Sequence, residues 1–173
     1  MKNITAGTVF KLAFGIALFF GATTAHAQHG NCGHHPLRVV YCGHDGLSLR
    51  CGPGTHNHRL GTVHQGATLY PTGESLWSCG VLWQKVAVRG YMKIGGCSKY
   101  LTHRGNGFWE VTWYRPGDNF VSMRSATSSR SCLLAKIHTG SFVRSHYDRH
   151  GYLEAEAEGW VAVRTASGKV YVR

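Results

Sequence analysis

The stretch LSLRCGPGTHNHRLGTVHQG, from Leu47 to Gly66, decides the fold. Its first four residues alternate leucine with serine and arginine, which is the period-two pattern of a half-buried β-strand. Gly52-Pro53-Gly54 follows, and we expect a sharp bend there, because proline fixes φ and glycine tolerates positive φ. Alternation resumes at Leu60. The stretch therefore predicts two short strands joined by a bend. It is not a phosphate-binding loop, since no helix pattern or lysine follows the glycines.

The same pattern recurs 74 residues later in the chain. The corresponding ranges are 47–50 with 121–124, 60–66 with 134–140 and, after a register change of five residues, 83–92 with 152–161. The register change predicts a longer loop in the first copy, from Pro71 to Leu82, which contains Cys79. Residues 152–158 (YLEAEAE) have a helical composition, but their strict alternation predicts a strand whose three glutamates form a solvated edge.

The mature chain shows no long helical periodicity, so we expect an all-β fold of two successive small units. The first unit resembles the bacterial SH3 domain. The residues that fit this family are Arg50, Gly52, Pro53, Gly54, Thr55, Gly61, Gly66, Trp83, Gly90, Tyr91, Tyr100 and Leu101. The second unit is more divergent: it keeps Arg124, Ser125, Gly140, Gly159, Trp160 and Val161, but Ala126–Ser129 replaces the glycine turn. The resemblance implies two small SH3-like β-barrels in tandem, at 37–104 and 105–173.

The N-terminus has the pattern of a secretory signal. Lys2 and Lys11 precede or begin an apolar run that ends at Phe20, and Ala25-His26-Ala27 offers small residues for cleavage before Gln28. We therefore expect a signal peptide at 1–27 and a histidine-rich leader at 28–36. The apolar run is too short to span a bilayer. These features predict a secreted or periplasmic protein that is not an integral membrane protein.

The cysteine count is even, and every cysteine follows the expected cleavage site. The six cysteines are Cys32, Cys42, Cys51, Cys79, Cys97 and Cys132. Because exported chains fold in an oxidising compartment, all six are candidates for disulfide bonds. Six cysteines allow 15 pairings, and the spacing does not choose among them.

The chain is basic, with 19 lysines and arginines against 8 acidic residues and a formal net charge of +11. Such a surface attracts anionic partners, including wall polymers and acidic proteins. Charge alone would also allow nucleic-acid binding, but export argues against it. The 12 histidines would add positive charge below about pH 6.5, which would strengthen attachment to anionic surfaces.

Two kinds of chemistry were weighed against simple binding. Cys79 follows a serine, as the nucleophile of cell-wall cysteine peptidases does, but it lies between predicted strands with no room for a catalytic domain. His29, Cys32, His34 and His35 crowd the leader, and His56 and His58 share a strand face, but their spacing fits no closed zinc site. We expect no catalytic residue, no resident metal and no cofactor.

The resemblance implies a non-catalytic binding protein that recognises peptidoglycan, its stem peptides, or an envelope or extracellular protein. SH3-type folds bind extended peptides in shallow aromatic grooves. The candidate ligand contacts are Thr55, His56, Asn57, Trp77, Trp83, Arg89 and Tyr91. Two alternatives remain open: a secreted inhibitor or effector that binds a protein, and a histidine-rich metal-handling envelope protein.

Overall fold

The computed structural model describes residues 35–95 and 99–173 of the chain. The expected signal peptide, most of the expected leader, Cys32 and Cys97 lie outside the described residues. Eleven β-strands run through the described part, which contains no helix, so the all-β prediction is confirmed. The strands are β1 (Leu37–Arg38), β2 (Leu47–Arg50), β3 (Arg59–Val63), β4 (Thr68–Ser78), β5 (Val81–Lys93), β6 (Leu101–Gly105), β7 (Phe108–Val111), β8 (Phe120–Arg124), β9 (Leu133–His138), β10 (Phe142–Arg149) and β11 (Tyr152–Thr165).

The strands belong to one sheet in the order β1-β4-β5-β8-β9-β3-β2-β11-β10-β7-β6, and β5 also pairs with β11. All named strand pairs are antiparallel. The additional pairing closes a circuit of six strands: β5, β8, β9, β3, β2 and β11. Both copies of the sequence pattern contribute three strands to this circuit.

The two copies are related by an approximate twofold axis, and each copy pairs with the other. The shift of 74 residues carries Thr62 onto Lys136, and these two residues are paired between β3 and β9. The later register carries Val88 onto Ala157, and these are paired between β5 and β11. Residues that sit opposite their own equivalents mark the axis. The second half of β5 then pairs with β8, just as the corresponding part of β11 pairs with β2.

A single apolar core lies between these strands. Leu49 and Val88 from the first copy and Met123, Ile137 and Leu153 from the second are at most 1% exposed and belong to one cluster. Burying such side chains away from water is the main favourable term in folding. Because the cluster contains residues of both copies, the two halves of the described chain share their stabilising contacts.

Two local predictions were wrong. Residues 71–78 are not a loop: they extend β4, which pairs with β5 up to a tight turn at Cys79 and Gly80, both with positive φ. Proline is tolerated at position 71 beside a bulge in this pairing. The glutamates of β11 are not on an edge either, because β11 has β5 along one side and β10 and β2 along the other. Strand formation at 152–158 itself is confirmed.

The glutamates of β11 instead face basic residues of β5. Glu156 accepts a hydrogen bond from Arg89 Nε at 2.6 Å, and Glu158 lies 2.9 Å from Lys85 Nζ. Thr72 Oγ1 also donates to Glu158 at 2.8 Å. The hydrogen bond from Lys85 lowers the pKa of Glu158, although partial burial opposes this shift. The solvent-facing side of the β5–β11 pair is thus a ladder of opposite charges in which one copy is basic and the other acidic.

Candidate binding grooves

Two grooves lie at equivalent places in the two copies. We call the first the Trp83 groove; it encloses about 210 Å³ and is lined by Cys42, Gly43, Gly46, Leu47, Ser48, Arg50, Thr55, Trp83, Ala162 and Tyr171. We call the second the Tyr152 groove; it encloses about 320 Å³ and is lined by Lys93, Tyr100, Trp113, Arg115, Asp118, Phe120, Val121, Ser122, Arg124, Ser129 and Tyr152. Each groove contains residues from both copies.

The repeat relates the linings of the two grooves position by position. Leu47, Ser48, Arg50 and Thr55 correspond to Val121, Ser122, Arg124 and Ser129, and Trp83 corresponds to Tyr152. Both grooves therefore present the same chemistry at these positions: an apolar residue, two hydroxyls, an arginine and an aromatic ring. The shared positions make the grooves two versions of one site.

The arginine of each groove is held by a bond to the bend that follows it. Arg50 Nη1 donates to the carbonyl oxygen of Asn57 at 2.6 Å, and Arg124 Nη1 donates to that of Ser131 at 2.7 Å. In the first copy, Asn57 Nδ2 also donates to the carbonyl oxygen of Pro53 at 2.9 Å, which closes the bend predicted at the glycines. Gly54 adopts φ +125°, a conformation that residues with a Cβ rarely reach. The bend thus fixes the arginine at the wall of the groove.

The grooves differ in charge and in unpaired polar groups. The Tyr152 groove has three basic side chains, Lys93, Arg115 and Arg124, around the single acid Asp118. Asp118 Oδ1 is buried and has no hydrogen-bond partner among the described residues. The Trp83 groove has an arginine and no acid in its lining, and the buried nitrogens Arg50 Nε and Trp83 Nε1 are without partners in the described part of the chain. Buried polar atoms are seldom left unpaired, so each of these is a point where a ligand gains a bond.

Aromatic packing supports the floor of the larger groove. The rings of Tyr100 and Trp113 meet edge to face, with centroids 4.8 Å apart. This geometry is favourable for aromatic pairs and limits the motion of both rings. In the smaller groove, Tyr171 lies 6.1 Å from Tyr41, and Lys169 Nζ is 5.3 Å from the Tyr171 ring centre.

The structure brings two of the seven predicted contacts together. Thr55 and Trp83 both line the Trp83 groove. His56 and Asn57 lie in the adjacent bend, where their side chains are 3.3 Å apart, and neither lines the groove. Trp77 is 42% exposed on β4, where Arg164 lies 5.8 Å from its ring centre.

Arg89 and Tyr91 lie on β5, away from both groove linings. Besides its bond to Glu156, the Arg89 guanidinium lies 4.6 Å from the ring centre of Tyr70. Tyr91 is half-buried, and its backbone pairs with Arg124 on one side and Glu154 on the other. These contacts occupy Arg89 in the charge ladder.

Sequence reasoning missed the Tyr152 groove, although a signal for it was present. Shifting Thr55 by 74 residues reaches Ser129, and the same shift carries Arg50 onto Arg124. It also missed Ser48 and Tyr171 in the smaller groove. Tyr171 belongs to the extreme C-terminus, and no local pattern places it beside Trp83.

The cysteines and histidines of the described residues form no cluster of the expected kinds. Cys42, Cys51, Cys79 and Cys132 form no disulfide with one another, so the bridges predicted among these four are not present. Three of the four are exposed and lie in bends of different strand pairs, which keeps them from meeting. No group of three or more histidine, cysteine or acidic side chains is placed to hold a metal within 35–95 and 99–173.

Two histidines are nonetheless perturbed, and the repeat relates them. Burial lowers the pKa of His64, and nearby Lys136 lowers it further. Burial likewise lowers the pKa of His138, with contributions from Arg59, His58 and Lys136, while a backbone hydrogen bond at Arg59 opposes the shift. Both imidazoles therefore favour the neutral form.

Fold and grooves together define an all-β protein with a duplicated surface site. No protein-family model matches the chain, and neither a curated protein nor a solved structure matches it significantly. Within the described residues, no helix has the length and apolar character needed to cross a membrane.

Proposed function

We propose that the chain is an exported, non-catalytic binding protein that recognises cell-wall peptidoglycan through its stem peptides. The observation that supports this most directly is the recurrence of one groove at two places related by the repeat. Duplicated sites increase the strength of attachment to a polymer, because the second binding event becomes intramolecular once the first has occurred. A repeating wall polymer presents many equivalent ligands, which suits such a pair of sites.

We further propose that each copy is an SH3-like unit whose last strand is exchanged with the other copy. The order of bend, strand pair, long hairpin and glycine-aromatic step in each copy supports this. In the first copy the glycine-aromatic step is Gly90-Tyr91, and in the second it is Gly159-Trp160. Both steps pair with the arginine strand of the opposite copy.

Groove chemistry suits an extended anionic peptide. Hydroxyls and arginine donate hydrogen bonds to carbonyl or carboxylate oxygens, and aromatic rings cover the aliphatic parts of a ligand. The basic side chains of the Tyr152 groove and the net charge of +11 draw the protein towards an anionic wall. Export places the protein in the compartment where the wall is.

Co-sedimentation with purified peptidoglycan sacculi tests the proposal. We expect the protein to pellet with sacculi, and we expect Lys93→Glu with Arg115→Glu to weaken binding about tenfold because both exposed cations line the Tyr152 groove. Arg149→Glu with Arg173→Glu makes the same change in net charge outside both grooves and is expected to stay within about twofold of the parent.

Two outcomes would reject the proposal. If the parent stays in the supernatant, the protein does not bind the wall. If both charge-reversed variants lose binding equally, attraction by net charge explains the attachment and the groove has no role in it.

A protein partner is the second candidate, as for a secreted inhibitor or effector. It is favoured by large exposed aromatic side chains, among them Tyr114 at 71%, Tyr147 at 69% and Phe142 at 55%. Exposed aromatics are enriched at protein interfaces. Specific capture of one envelope protein, together with no binding to sacculi, would favour this candidate.

A further inference from the structure

The Trp83 groove contains two buried N–H donors that have no acceptor among the described residues. One is the indole Nε1 of Trp83, whose side chain is only 3% exposed, and the other is Nε of Arg50. Ser48 and Thr55 add two hydroxyls to the same lining, and no aspartate or glutamate is present in it. Donors are therefore concentrated in a small groove that supplies no anion of its own.

The two donors differ in charge but call for the same ligand. A buried N–H without a partner costs about 1–3 kcal/mol, and an acceptor that enters the groove recovers this cost. A guanidinium binds best to a planar anion that accepts more than one hydrogen bond, and a carboxylate has two such oxygens. A neutral carbonyl would satisfy the indole but would leave the guanidinium charge uncompensated.

The arginine is already oriented for this role. Its Nη1 is engaged by the Asn57 carbonyl at 2.6 Å, so the guanidinium plane is fixed while Nε remains unused. A donor that is held in place before binding loses little side-chain entropy on binding. The equivalent Arg124 has the same backbone bond, but its Nε does not share this buried, unpartnered state, and Asp118 lies in the same groove. The feature is thus specific to the Trp83 groove.

We infer that the Trp83 groove binds a free carboxylate at the end of an extended peptide, with Arg50 Nε and Trp83 Nε1 as its donors. The inference rests on the proposed function for the source of that carboxylate, which is a wall stem peptide. The C-terminus of a protein chain offers the same chemistry, and the experiment separates the two sources.

Titration with acetyl-alanyl-alanine and with its C-terminal amide tests the site in the intact protein. In a ¹H–¹⁵N correlation spectrum, the chain's five tryptophans give indole signals, and the Trp83 signal is the one that Trp83→Phe removes. We expect the acid to shift this signal downfield, and we expect the amide to bind at least about tenfold more weakly because it lacks the charge. Equal binding of acid and amide, or a Trp83 signal that does not move with the acid, would overturn the inference.

Variants supply a second measurement by calorimetry. Trp83→Phe and Arg50→Lys each remove one donor and are expected to weaken binding of the acid about tenfold. Trp109→Phe and Arg144→Lys are the matched controls outside both grooves and should stay within about twofold. If the donor variants bind as tightly as the controls, these two nitrogens are not the ligand contacts. The indole shift of the parent protein does not depend on whether the variants fold.

Sacculi whose carboxyl groups have been converted to methylamides separate this inference from the proposed function. Binding to untreated but not to amidated sacculi supports both. Equal binding to the two preparations overturns the carboxylate site and leaves wall binding standing. Binding of the dipeptide acid without binding to either preparation supports the site, assigns it to a protein C-terminus and rejects the wall as the source.

Discussion

A methyl group added at Gly90 tests the crossing between the two copies most directly. A Cβ at this position would lie 2.6 Å from the carbonyl oxygen of Arg124 and 2.8 Å from Met123 Cγ, both in the opposite copy. At the equivalent Gly159, a Cβ would lie 2.8 Å from the carbonyl oxygen of Arg50. Neither glycine has a positive φ, so the substitution acts through space and not through backbone conformation.

The magnitude follows from what has to move. Contacts below 3.0 Å with a backbone oxygen require the two strands to separate, and overpacking of this kind costs about 1–3 kcal/mol. In the β5–β11 register, Gly159 lies four residues beyond the partner of Gly90, a distance of about 13 Å along the strands. Sites this far apart act almost independently, so the double variant should lose roughly 2–6 kcal/mol.

Urea denaturation followed by tryptophan fluorescence measures the loss. With a slope of about 2 kcal/mol/M, a cost of about 2 kcal/mol lowers the midpoint by about 1 M for each single variant. Gly43→Ala is the matched control, because a Cβ there meets nothing within 4 Å and φ is not positive. We expect it to stay within about 0.5 kcal/mol of the parent.

The reasoning is refuted if Gly90→Ala and Gly159→Ala unfold at the same urea concentration as the parent. The strands of the two copies would then not approach as closely as the structure places them. A control that loses as much stability as the test variants would show instead that alanine is disfavoured at glycines of this fold in general.

Two further predictions concern charge. Arg89→Glu should lower the free energy of unfolding by about 1 kcal/mol at low salt, since it places like charges in the β5–β11 ladder, and adding Glu156→Arg should restore at least half of the loss in a denaturation cycle; no restoration would show that the pair does not interact. Because burial holds the pKa of His64 and His138 below the unfolded value of about 6.5, the unfolded chain binds more protons below that pH, and stability is lost as pH falls from about 6.5 towards the folded pKa values. Thermal unfolding at pH 7.5 and 5.5 should show a smaller drop for the double glutamine variant than for the parent, and an unchanged drop would assign the pH dependence to other groups.

Local pattern was sufficient to predict strands but not their partners. The alternation in 47–50 and the bend after it identified β2 and the turn that leads to β3, because side-chain period and turn chemistry are properties of neighbouring residues. Period two does not specify which strand lies alongside, and many pairings satisfy the same buried face. The pairing of β5 with β8 is set by the whole core, so it appeared only in the structure.

The same limit applies to the site. Thr55 could be predicted because it belongs to the bend, and Trp83 because an aromatic residue in an apolar strand has to lie near the core. Arg89 was predicted as a ligand contact, but it pairs with Glu156, a residue 67 positions away. A cation in an alternating strand looks the same in sequence whether it faces a ligand or a carboxylate from a distant strand.

The exchange between the copies has a physical cause that the sequence does contain. For β5 to fold back within its own copy, the chain would have to reverse near Arg89, and hairpins reverse at residues such as Asn-Gly or Gly-Gly that accept positive φ. Here Val88-Arg89-Gly90-Tyr91 continues the alternation, and no residue of β5 has positive φ. The strand therefore runs straight for 13 residues, and its second half reaches the arginine strand of the other copy. Because β11 is equally straight over 14 residues, both halves exchange together, and the basic and acidic faces of the two strands favour pairing of unlike copies over pairing of like ones.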